Sequence, residues 1–149
     1  MLLADEIKMR GSDIEIERVL RMALVHDWAE TRVGDMPKTA TDYFGADVRK
    51  RAEASAFADI IDAAGASASQ YENIYHDYEQ RSSVEARLVK AADVLDLLIQ
   101  AYALERAGAR GLDEFWEVAK NADFQLPGAA ADVVNETLQS ILAARAEAH

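Results

Sequence analysis

From Val84 to about Ala107 the chain reads as one long helix. Val84, Leu88, Ala92, Leu95, Leu98, Ile99 and Tyr102 recur three or four positions apart and form an apolar stripe. Val89, Val94 and Leu97 add apolar surface beside it, so this helix is expected to be largely buried. A buried helix needs other helices around it, and the rest of the chain supplies them. Met1–Met9 resembles the last turns of an apolar helix ending at Arg10-Gly11. A second helix carries Ile16, Val19, Leu20, Ala23 and Leu24. A third, from about Ala46 to Ala64, carries Val48, Ala52, Phe57, Ile60 and Ile61. Gln70–Gln80 is polar and rich in tyrosine. A short helix with Phe115, Trp116 and Val118 precedes the Pro127-Gly128 break, and Ala129–Ala146 closes the chain with Val133, Val134, Leu138, Ile141 and Leu142. Ser12-Asp13-Ile14-Glu15 and Ser82-Ser83-Val84-Glu85 both have the capping-box pattern that opens a helix. Lys38–Gly45 reads as a polar loop bearing Tyr43-Phe44. No segment alternates as a strand does.

These patterns predict an all-α fold, a bundle of about six or seven helices in a single domain over 1–149. Composition agrees. Two prolines and seven glycines offer little turn chemistry for a β fold, and half of the residues are hydrophobic. There are no cysteines, which excludes disulfides and thiolate zinc sites. A net charge of -11 argues against nonspecific binding of nucleic acid or an anionic membrane. No apolar run approaches the ~20 residues of a membrane span. With no apolar signal segment at the start, the expectation is a soluble, cytoplasmic protein.

The chemistry is concentrated in Ala23-Leu24-Val25-His26-Asp27-Trp28-Ala29-Glu30-Thr31-Arg32-Val33-Gly34-Asp35-Met36-Pro37. If the second helix runs on through it, Glu30 lies on the same face as Asp27 and His26. His26 and Asp27 offer an imidazole nitrogen and a carboxylate oxygen, a donor set suited to a divalent metal. Glu30 is one turn on, placed to orient or deprotonate a water. Asp35 follows a helix stop at Gly34. A His-Asp pair alone is more often the solvent end of a helix; four ionisable groups in ten residues after an apolar stretch favour a site. Asp93 and Asp96 interrupt the long helix, and an Asp there needs a partner. Lys90, three residues before Asp93, can supply one. His76-Asp77 lacks a Glu at the matching offset and reads as an ordinary surface helix.

Taken together, Leu24-Val25-His26-Asp27, Glu30, Gly34-Asp35-Met36-Pro37 and Glu85-Ala86-Arg87-Leu88-Val89-Lys90-Ala91-Ala92-Asp93 resemble the HD-domain metal-dependent phosphohydrolases. Within them the pattern is similar to the 5'-deoxynucleotidase branch, over roughly Ser12 to Tyr102 by motif. The resemblance implies that His26, Asp27 and Asp93 ligate a divalent metal, which selects Asp93 over Asp96; such a donor set suits Mn, Co, Fe, Ni or Zn. It implies that Glu30 and Asp35 belong to the catalytic apparatus and that the substrate is a deoxynucleoside 5'-monophosphate. Another phosphorylated nucleotide, or an inactive helical assembly module, is the alternative.

The family's metal site takes a further His from an upstream helix, and no His precedes His26. The expectation is therefore an N-terminally truncated domain with a weakened metal site. Arg32 and Lys38 are the cations nearest the motif, and their ordinary reading is solvated loop charge. The resemblance also implies a homodimer, with Tyr71, Tyr75, Phe115 and Trp116 either at the contact or capping the chain's own core.

Overall fold

The structure, a computed structural model, describes residues 1–120 and 122–148, apart from the side chain of Lys38. Among the described residues it is all-α, with nine α-helices, seven of them eight residues or longer, and no strand. No helix of the described residues is long and apolar enough to cross a membrane. The chain forms two compact units, the first from Met1–Leu20 with Arg81 onward and the second from Arg21–Gln80.

The first unit contains α1 (Leu2–Met9), the start of α2 (Ile16–Val25), α7 (Val84–Arg106), α8 (Asp113–Lys120) and α9 (Gly128–Ala148). Helix α7 packs against α8 and α9, and α1 packs against α9. The long helix is buried on several sides, through Ala86, Leu88, Val89, Ala91, Val94, Leu95, Leu98 and Ala101. Fully buried alanines (Ala86, Ala91, Ala130) let neighbouring backbones approach closely. Ile99, expected in the buried stripe, is exposed. The 3.6-residue period drifts across a helix this long, so the buried face passes to Ala101.

The two capping patterns resolve differently. Ser83, not Ser82, caps α7, its Oγ accepting the Ala86 amide at 3.0 Å. Glu85 is thereby freed from a local box. Its Oε1 instead accepts the Glu15 amide at 3.0 Å, seventy residues away in sequence. Helix α2 therefore begins at Ile16 rather than just after Ser12.

The second unit contains the end of α2, then α3 (Glu30–Val33), α4 (Lys38–Phe44), α5 (Ala46–Ile61), a 3-10 segment over Asp62–Ser67 and α6 (Ala68–Gln80). The expected loop over Lys38–Gly45 is helical. Pro37 precedes its first turn and Gly45, at φ 89°, ends it. Its aromatic pair is exposed, Tyr43 at 91%. Helix α6 is no ordinary surface helix: Ile74, Tyr75, Asp77 and Tyr78 are buried while His76 is exposed. The Phe57 and Tyr75 rings stack at 3.9 Å, 11° from parallel, and Trp28 lies 5.8 Å from Tyr71 and 6.4 Å from Phe57. Val48, expected on the apolar face of α5, is exposed, and Glu53 is buried there instead.

Candidate metal and acid–base site

Helix α2 stops at Val25, one residue short of the His-Asp pair. The chain continues as a tight turn over residues 26–29. Amides of Trp28, Glu30, Thr31 and Arg32 bond carbonyls three residues back, at 3.0–3.2 Å. Such 3-10 winding brings residues three apart onto one side, so Asp27 and Glu30 still share a face. The reason differs from the one read in sequence, where an α-helix was expected throughout. Gly34, at φ 75°, then turns the chain out into an exposed segment bearing Asp35.

Both nitrogens of the His26 ring face oxygen. Nδ1 lies 2.9 Å from the Ala23 carbonyl oxygen, which can only accept, so Nδ1 carries the hydrogen. Nε2 lies 3.0 Å from Oδ2 of Asp27. A bare nitrogen lone pair against an ionised carboxylate is repulsive. The gap calls for a cation, either a second ring proton or a metal ion. The donors fit a metal. Atoms 3.0 Å apart are close enough to share one ion at bond lengths of about 2.1 Å. The Nδ1–H bond to a backbone carbonyl is the outer contact that metal-ligating histidines characteristically make. Among the described residues, no group of three or more His, Asp or Glu side chains is gathered as a metal cluster.

Glu30 holds its proton more tightly than an ordinary glutamate. Burial is the main cause, reinforced by the negative charges of Asp27, Asp35 and Glu53, while His26 acts the other way. Glu53 is also pushed up, first by burial, with Arg49 opposing and Glu79, Asp35 and Asp27 adding to the rise. Its side chain accepts from Arg49 Nη1 at 3.2 Å. Sequence reasoning missed Glu53. One carboxylate among the alanines of a helix looks like surface, and the available signal was its spacing of three and four residues from Ala56 and Phe57. Asp93, in the first unit, accepts from Lys90 Nζ at 2.6 Å, the ion pair that the sequence offered as the plain alternative. Arg32 is exposed, and the Lys38 side chain lies outside the described residues. Tyr75 and Trp116 are buried within the chain, while Tyr71 and Phe115 are half-buried.

The sequence profile of the HD domain family matches residues 1–125. This chain belongs to the HD-domain family. The HD-domain chain is 36% identical over 125 residues to a 5'-deoxynucleotidase of Danio rerio, covering 81% of this chain and 60% of that protein. It is 30% identical over 134 residues to a 5'-deoxynucleotidase of Saccharomyces cerevisiae, covering 85% and 56%. Among solved structures it is similar to the PH0347 protein from Pyrococcus horikoshii OT3, with a TM-score of 0.79 and 34% identity over 96% of this chain and 75% of that one. The chain spans about half to three-fifths of the length of the curated relatives it matches.

Proposed function

We propose that this HD-domain chain is a metal-dependent phosphohydrolase that removes phosphate from deoxynucleoside 5'-monophosphates. The observation that carries the reading is the His26–Asp27 pair, with Nε2 turned onto a carboxylate oxygen at 3.0 Å beside a glutamate of raised proton affinity. Similarity to 5'-deoxynucleotidases supports the choice of substrate.

His26 through Nε2 and Asp27 through Oδ2 would hold the divalent ion, with Asp93 assigned as a further ligand from its motif. When bound, the ion supplies Lewis-acid polarisation of water and of the phosphoryl group. Glu30 accepts the proton of the attacking water. Its raised proton affinity suits that role, because a base works best when its pKa approaches the working pH. Asp35, from the segment after Gly34, is assigned to the leaving 5'-oxygen or the sugar, and the proton that Glu30 takes from water passes to the departing 5'-oxygen, which leaves as the nucleoside hydroxyl. We place the protein in the cytoplasm and, from the family resemblance, as a homodimer. A monomeric mass by light scattering at tens of micromolar would count against that assembly.

The test is phosphate release from a panel of deoxynucleoside and ribonucleoside monophosphates, cyclic nucleotides and triphosphates, with Mn, Co, Fe, Ni or Zn supplied. Deoxynucleoside 5'-monophosphates should be the preferred substrates. Glu30→Gln should lower turnover by about 10²–10⁴-fold with metal content retained. Asp27→Asn and Asp93→Asn should lower metal content as well. Faster release from another nucleotide class would overturn the substrate assignment, and an undiminished Glu30→Gln would overturn the mechanism.

A further inference from the structure

The His26 imidazole is held at more than its two nitrogens. The ring of Tyr78, from α6, meets it in a T-shaped contact, with centroids 5.1 Å apart and planes at 67°. Tyr78 is buried, so its ring is itself fixed by packing. The His26 side chain is only 15% exposed.

One hydrogen bond at Nδ1 does not fix an imidazole. The terminal torsion of histidine is broad, and the ring can tilt about that bond while keeping it. Tilting would swing Nε2 off Asp27 Oδ2, and a half-turn would exchange Nδ1 for a carbon. A second contact, on the ring rather than on a nitrogen, removes this freedom. We propose that Tyr78 is a positioning residue for His26, its ring holding the imidazole so that Nε2 stays turned toward Asp27. The contact with His26 is made by the aromatic ring, and the ring carries the assigned role.

This inference rests on the reading of His26 as a metal ligand, and the experiment separates the two. Mn²⁺ or Co²⁺ is titrated calorimetrically into the whole chain, wild type beside Tyr78→Phe and Tyr78→Leu. The nitrogen signals of the His26 ring are recorded by NMR on the same proteins without metal, and melting is followed for each. Tyr78→Phe should bind within about threefold of wild type, and Tyr78→Leu at least about tenfold more weakly, in the range for loss of an outer-shell partner. The ring-nitrogen signals of His26 in the metal-free Tyr78→Leu protein should also differ from those of wild type. Equal affinity and unchanged ring signals in Tyr78→Leu overturn the proposal. So does a Tyr78→Phe protein that binds about tenfold or more weakly than wild type, an outcome readable even if the leucine variant does not fold. A wild type that takes up no metal overturns the metal reading. The His26 signals then decide the role of Tyr78: changed in Tyr78→Leu they support it, unchanged they overturn it.

Discussion

Arg145 in the first unit and Glu30 in the second are both half-buried charged side chains, and their surroundings treat them in opposite ways. Arg145 donates to both carboxylate oxygens of Glu105 at 2.8 and 3.0 Å, and to Asp113 at 3.1 Å. Its guanidinium lies 4.3 Å over the Trp116 ring, whose Nε1 also donates to Glu105. Its pKa is raised, chiefly by the bond to Glu105, so the charge is favoured where it sits. Glu30 meets burial and three like charges, and the surroundings disfavour its charge. Elsewhere in the first unit Arg10 takes both oxygens of Glu136, whose carboxyl is held below its ordinary value by that bond. In the second unit Glu53 is pushed up as Glu30 is. Charges that hold a fold are matched by partners. Carboxylates gathered against their own repulsion cost stability, and a site that recruits a cation is a physical reason to keep them.

The contrast is open to direct attack. The largest effect is expected at Glu105. Glu105→Ala leaves the Trp116 N–H without its acceptor and the Arg145 guanidinium with Asp113 as its remaining carboxylate, and should cost about 1–3 kcal/mol in urea unfolding. A smaller effect of opposite sign is expected at Glu30. Because its folded-state proton affinity is raised, the native state binds the extra proton, and stability falls as pH rises above the ordinary value of 4.5. In chelator-treated protein Glu30→Gln should therefore melt above wild type at neutral pH, with the gap closing as pH falls toward 4.5. A lower melting temperature for that variant would break the comparison. The smallest effect belongs to Arg10→Ala. Its pair with Glu136 is solvent-exposed, so any loss should be slight and should disappear in about 1 M salt.

The parts legible in sequence are those governed by local repetition. Helices α7 and α9 emerged from their apolar spacing, and Val133, Val134 and Leu138 are buried as that spacing required. The His26–Asp35 stretch stood out because its ionisable groups follow an apolar run so abruptly. What escaped is set by neighbours far along the chain. The four-residue pattern after Ser12 is a sound capping box, yet Glu85 serves the helix start instead. Lys38–Phe44 is too short for periodicity to register, and its aromatics point to solvent. Glu53 and Tyr78 are invisible as site neighbours because nothing within a few residues of either names the group it meets.

The cap that Glu85 gives to Glu15 has a consequence for how the chain folds. A helix normally finds its terminal partners within four residues, so that its first turn can form as soon as the segment is free. The first turn of α2 must wait for a carboxylate seventy residues later, on a different helix. That closure carries the entropy of a long loop before it returns any contact. The segment leading into His26 and Asp27 is thus expected to acquire full order late, after α7 has formed. Substituting Glu85 should therefore speed unfolding while leaving the refolding rate nearly unchanged.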